Sequence, residues 1–176
     1  MNSLKDALPA TITTDRLVLT TPTLAHVPAI ARLANNHQVH RWMARLPFPY
    51  AEADARFFIE EIVPQAEECS YAILLNGMTL AGVVGLRCIH GEMPMLGYWL
   101  GQEHWGKGYA TEAALALVGA AKSTGIAGLQ SRALVENRGS RNVLRKAGFV
   151  ETGEAVEPDN NLAGRQMMLM RLDFDR

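Results

Sequence analysis

The sequence is poor in cysteine, and it has no long apolar run, no bulk charge of either sign and no metal-ligating cluster. Its 176 residues include two cysteines, Cys69 and Cys88, and no C-x-x-C. That excludes a zinc ribbon, a dithiol redox motif and a disulfide framework, so both read as free thiols serving as small buried apolar residues. The longest apolar run, Ala113 to Ala121, is about half a bilayer span and is closed by Glu112 and Lys122. The opening MNSLKDALPA carries Lys5 and Asp6 where a secretory signal needs an apolar core. The expectation is therefore a cytoplasmic protein with no membrane segment. A net charge of -1 and a pI near 6.5 supply no bulk attraction to nucleic acid. His37 and His40 have helical spacing but no third ligand, so no metal is expected. There is no G-x-S-x-G elbow and no cysteine paired with a base, which argues against a covalent acyl-enzyme.

What is present is the composition of one globular domain, 48% hydrophobic and 20% charged. Residues 1–12 read as a loose arm and 13–174 as the domain. Leu17 to Leu19 reads as a first strand stopped by Pro22. Ala25 to Ala34 follows helical spacing, with Thr23 as N-cap and Asn35-Asn36 as its stop. Leu46-Pro47-Phe48-Pro49-Tyr50 is a rigid connector to a second helix, running from about Glu52 to Pro64. Strands over Tyr71–Leu75 and Leu80–Ile89 flank Asn76-Gly77, a hairpin signal, and Met95–Leu100 is a further strand. Apolar residues at 110, 113, 114, 117, 118 and 121 predict a helix over 109–123, ended by Gly125. A strand over Leu129–Val135, a short helix over Ser140–Ala147, a strand from Phe149 and a last strand over Arg165–Leu172 complete an α/β order without regular alternation.

Two segments carry chemistry. In the first, the strand ending at Leu100 leads into Trp105-Gly106-Lys107-Gly108-Tyr109-Ala110-Thr111 and then a helix. Such a turn presents backbone N–H groups that lack intrahelical acceptors, where the helix dipole favours an anion. A tight turn serving the fold alone is the competing reading. Gly101 to Lys107 fits the start of a P-loop, but Gly108 stands where a Ser or Thr must hold Mg²⁺. The dinucleotide fingerprint fails because position 111 is Thr. In the second segment, Asn137 to Phe149, Asn137 suits a turn and Ser140 suits a helix N-cap.

Together, Trp105-Gly106-Lys107-Gly108-Tyr109-Ala110-Thr111-Glu112-Ala113 and the downstream N-x-x-S-x-x-V-x-x-K-x-G-F resemble the GCN5-related N-acetyltransferase (GNAT) superfamily. The nearest branch contains the ribosomal-protein N-terminal acetyltransferases. The resemblance implies a single mixed, mostly antiparallel sheet with a splayed central strand pair and flanking helices. It implies transfer of acetyl from acetyl-CoA directly to a primary amine, either a protein N-terminus or a small molecule. A non-catalytic acyl-CoA sensor of the same fold is the alternative, and a homodimer is compatible with that fold. The resemblance assigns cofactor contacts to Leu100, Trp105, Gly106, Lys107, Gly108, Tyr109, Ala110, Thr111, Asn137, Ser140, Asn142 and Phe149. The usual Gln or Arg of the turn is replaced by Trp105, which leaves only a side-chain contribution there in question. Ser140 would protonate the leaving thiolate and Asn137 would hold the pantetheine.

The general base is open from the residues. Glu103 and His104 beside the turn, and Glu60 and Glu61 on the second helix, are candidates, with Glu103 foremost. Trp42, Tyr50, Phe57 and Trp99 are candidates for an amine pocket, each also readable as core. Residues 101–150 carry seven basic and three acidic side chains, so the near-neutral total conceals a positive centre around Arg138, Arg141, Arg145 and Lys146. That local field suits one small phosphorylated cofactor rather than nucleic acid.

Overall fold

The structure is a computed structural model describing residues 3–174. The arm expected to be loose is ordered over its described residues. Ser3 caps helix α1 (Leu4–Ala7), and strand β1 (Thr11–Thr13) follows. Lys5 Nζ donates to the carbonyls of Val63 and Gln65 at 2.5 and 2.7 Å, and Tyr71 Oη donates to Pro9 O at 2.6 Å. Leu8 is buried. The sequence reading missed this because the bonds from Lys5 and Tyr71 that tie the arm down join residues far apart in the chain. The first two residues of that arm lie outside the described range.

Strand β2 (Leu17–Thr20) leads through a 3-10 turn to α2 (Val27–Ala34). The Thr23 side chain does not cap this helix; its N–H instead donates to His26 Nδ1 at 3.0 Å. Asn35-Asn36 stops α2 and also starts another helix, since Asn36 Oδ1 accepts the Gln38 N–H at the head of α3 (His37–His40). The proline connector, with Phe48-Pro49 cis, precedes α4 (Glu52–Phe57), which continues as a π-helical turn to Ile62. Strands β3 (Glu68–Leu75) and β4 (Thr79–Arg87) form the expected hairpin, with Asn76 and Gly77 both at positive φ. Then come β5 (Met95–Leu100), α5 (Tyr109–Ser123), β6 (Gly128–Leu134), α6 (Arg138–Lys146), β7 (Val150–Val156) and β8 (Gln166–Asp173).

The strands make one sheet in the order β1-β2-β3-β4-β5-β6-β8-β7. Every neighbouring pair is antiparallel except β5 and β6, which are parallel. This is the expected mixed sheet. Side chains alternate across it, so the two faces build separate cores. One face packs Leu19, Ile73, Leu86, Leu96 and Leu129 against α5 and α6. Small residues on α5, Ala110, Ala113, Ala114 and Ala121, are buried there and let the helix lie close to the strands. The other face packs Ala72, Leu74, Val83 and Trp99 against α2, α3 and α4. Tyr50 and Trp99 belong to this second core, while Phe57 is exposed. Among the described residues, no helix is long and apolar enough to cross a membrane.

Candidate functional site

The parallel pair is where the sheet opens. Its register is held at Met95 and Gln130 alone, with Gln130 N–H donating to Pro94 O at 3.0 Å and Ser131 Oγ to Leu96 O at 2.8 Å. Beyond that point β5 continues to Leu100 and β6 to Leu134 without pairing, and a gap widens between them. Parallel strands that part leave backbone N–H and C=O groups without ladder partners, which is a place for an extended polar ligand.

At the end of β5 the chain turns into α5 through Gly106 and Gly108, both at positive φ (72° and 82°). The first bond closing the helix is Glu112 N–H to Gly108 O at 3.0 Å, so the amides of Tyr109, Ala110 and Thr111 precede it and are open to an anion. Trp105 secures the turn from one side, its Nε1–H donating to Leu100 O at 2.9 Å. The replacement of Gln or Arg by Trp105 thus supplies a structural bond to the strand end. Lys107 Nζ bonds Glu103 O at 2.8 Å. From the other side Arg16 Nη1 donates to Lys107 O at 2.9 Å, its Nε pairs with Glu112 Oε2 at 2.7 Å, and its guanidinium lies over the Tyr109 ring. Thr14 Oγ1 adds a bond to Glu112 Oε1 at 2.6 Å. Burial pushes the Glu112 carboxyl up, but the bonds from Thr14 and Arg16 outweigh it and hold it below its ordinary value. The turn is therefore braced by a segment some ninety residues upstream. A cleft of about 520 Å³ lined by Thr14, Arg16, Gly108, Thr111 and Lys146 runs beside it.

Across the gap stands the head of α6. The helix begins earlier than expected, and its N-cap is Asn137, whose Oδ1 accepts the Ser140 N–H at 3.1 Å. Ser140 is thus not the cap, so its hydroxyl is not spent on the helix. Tyr98 Oη, from β5, donates to Ser140 Oγ at 3.0 Å. Burial pushes the Tyr98 phenol above its ordinary value, while the bond to Ser140 works in the other direction. Sequence reasoning missed Tyr98; alternation along β5 places it with Leu96 and Leu100 on the α5–α6 face, but nothing local announces a partner on α6. Asn142 is exposed in a groove with Arg138, Arg141 and Arg145. Arg141 and Arg145 are both engaged by Glu151, at 2.8 and 2.6 Å, so less of the expected positive field is free. Phe149 is 2% exposed, within the core beside α5 and α6, and has no surface to offer a cofactor.

On the opposite face of the gap, the structure presents a carboxylate that the sequence reading did not single out. Glu157, just past β7, is 2% exposed. Arg132 Nη1 from β6 forms an ion pair with its Oε2 at 2.8 Å. Arg132 shares its face of β6 with Leu134, which packs with Leu162, Met167 and Trp42. Gly97, on the same face of β5 as Trp99, borders open space. The foremost expected base fares differently. Glu103 is half exposed and paired with Arg32 at 2.9 Å, and that bond holds its carboxyl below the usual range. His104 is buried, and burial lowers its pKa. Glu60 and Glu61 are exposed.

Open amides beside a gap in a sheet, with a hydroxyl on one face and a buried carboxylate on the other, suit a group transferase for an extended, phosphate-bearing donor. The acetyltransferase (GNAT) domain family matches residues 16–150, and the chain belongs to that family of acetyl-CoA-dependent N-acetyltransferases. No curated protein sequence matches it. Among solved structures, it is similar to the ribosomal L7/L12 α-N-protein acetyltransferase RimL in complex with coenzyme A (20% identity, TM-score 0.83, covering 94% of this chain and 98% of that one). It is also similar to the microcin C7 self-immunity acetyltransferase MccE in complex with acetyl-CoA and AMP (23%, 0.83, 96% and 98%). A third is spermidine N-acetyltransferase from Vibrio cholerae in complex with coenzyme A and spermine (19%, 0.77, 91% and 96%). At these identities the likeness is one of fold. Among the described residues there is no cluster of His, Cys, Asp or Glu fit to hold a metal.

Proposed function

We propose that the protein acts in the cytoplasm, transferring acetyl from acetyl-CoA directly to a primary amine within a ternary complex. The pantetheine arm lies in the gap between β5 and β6, and the pyrophosphate lies on the amides of Gly106 to Thr111, with Leu100 at the thioester. The amine enters from the α2–α4 face. Its nitrogen attacks the thioester carbon, the C–S bond breaks, the amine proton passes to Glu157 and the thiolate takes a proton from Ser140. The observation that carries this reading is the division of labour across one opening, with Ser140 at its α6 side and the buried carboxylate of Glu157, paired with Arg132, on the other face. A direct transfer is served by a base beside the amine and a proton donor beside the sulfur.

The acceptor is a protein N-terminus or a small-molecule amine. The named activities of two similar folds, α-N-protein acetylation in one and spermidine N-acetylation in the other, support that range. The test is release of free thiol from acetyl-CoA across a panel of N-terminal peptides and polyamines. Intersecting initial-velocity lines and an unmodified protein mass are expected. Parallel lines with a protein heavier by one acetyl group would overturn the ternary mechanism. Coenzyme binding without thiol release on any amine would replace the enzyme by a sensor.

A further inference from the structure

The bond from Tyr98 to Ser140 joins the two sides of the opening. Beyond Met95 and Gln130 the strands β5 and β6 no longer pair, yet a phenol from β5 reaches the first turn of α6, 42 residues on in sequence. The bond has a direction. The phenol donates and Ser140 Oγ accepts, while the Ser140 N–H is already satisfied by Asn137 Oδ1. A serine hydroxyl has one hydrogen, and here Tyr98 does not use it. It remains available to a group inside the gap. Tyr98 itself sits against the core shared with α5 and α6, its strand paired to β4 through Val84, so the phenol approaches from a rigid support.

We infer that Tyr98 is the positioning residue for Ser140, keeping the serine hydroxyl poised as a donor toward the coenzyme sulfur and supplying the proton that replaces the one Ser140 gives away. The inference rests on the role assigned to Ser140 above. When the C–S bond breaks, the electron pair goes to sulfur, the Ser140 Oγ proton moves to the thiolate, and the phenol proton moves to Oγ. The phenolate is then reprotonated by water before the next turnover. A phenol is a much stronger acid than an alcohol, so the relay spares Ser140 from holding a full alkoxide charge.

The test is steady-state kinetics on Tyr98→Phe, Ser140→Ala and the double variant, with coenzyme A affinity measured by calorimetry to show that each is folded. Tyr98→Phe is expected to lower kcat by about 10- to 100-fold, with KM for acetyl-CoA within about twofold. The double variant is expected to be no slower than Ser140→Ala, because the phenol acts only through the serine. If Tyr98→Phe keeps its kcat while Ser140→Ala loses it, or if the losses multiply in the double variant, Tyr98 has no such role and the assignment of Ser140 survives. If Ser140→Ala itself keeps full kcat, the assignment of Ser140 falls and the inference falls with it.

Discussion

Arg16 and Glu112 are an ion pair at 2.7 Å that ties the loop before β2 to the first turn of α5. Glu112 is also the residue whose N–H closes that turn on Gly108. One carboxylate therefore receives Thr14, Arg16 Nε and the Arg16 N–H, while the same guanidinium holds Lys107 O. These bonds end on the Glu112 carboxylate and the Lys107 carbonyl rather than on the amides of Tyr109 to Thr111, so they stiffen the turn without consuming its donors.

This predicts an acid limb in stability. Because its folded pKa is depressed, Glu112 contributes stability that is complete above its unfolded value near 4.5 and is lost as pH falls through the lower folded value. Glu112→Gln should unfold at lower temperature at neutral pH, by about 1 kcal/mol, since Arg16 is half exposed and screened. The gap to the parent protein should close below pH 4. Thermal unfolding followed from pH 7 to pH 3 measures it, and a constant gap would remove Glu112 from the acid limb.

Gly108 offers a sharper probe of the turn. Its φ of 82° is costly for any residue with a Cβ, and an added Cβ would stand 3.3 Å from Arg16 Nη2. Gly108→Ala is expected to destabilise by about 1 to 2 kcal/mol and to weaken coenzyme A binding about tenfold, with kcat at saturation nearly unchanged. Calorimetric titration with coenzyme A reads the affinity. Unchanged affinity would mean that the phosphates lie elsewhere.

Much of this was legible in the residues. The 3.6-residue spacing of small apolar side chains marked α5 to the residue, and Asn76-Gly77 marked the β3–β4 hairpin, because both signals are local and strong. The glycine turn proposed to hold the donor was legible for the same reason, being contiguous in sequence. What escaped reading was held by distant contacts. The arm is ordered by Lys5 on Val63 and by Tyr71 on Pro9, and Tyr98 finds Ser140 across a gap. Glu157 is buried against Arg132 of β6, with its backbone bonded to Gly164 and Arg165 across the β7–β8 connection. Ser140 also looked like a cap because serine favours that position, and only the start of α6 at Arg138 shows Asn137 in the role.

That exchange of roles makes Asn137 testable apart from Ser140. Asn137→Ala removes the cap and is expected to cost about 1 kcal/mol of stability. It should also lower kcat, because the amide that sets Ser140 in place loses its partner. Asn137→Asp keeps an oxygen acceptor and should restore most of both. Chemical unfolding alongside turnover checks this; a restored stability without restored turnover would show that the amide group contacts the coenzyme directly.

The last prediction separates the two carboxylates proposed as base. Glu103 is half exposed and already bound by Arg32, so its charge is stabilised and its appetite for a proton is reduced. Glu157 is buried and pairs with Arg132 of β6 at 2.8 Å, on the face of the gap away from α6. Glu157→Gln keeps the shape and removes the proton acceptor, and it is expected to lower kcat about 100-fold. Glu103→Gln should leave kcat within about twofold. If Glu103→Gln produced this loss instead, the proton acceptor would lie beside Arg32 of α2 rather than beside Arg132 of β6, and the assignment of Glu157 would fail.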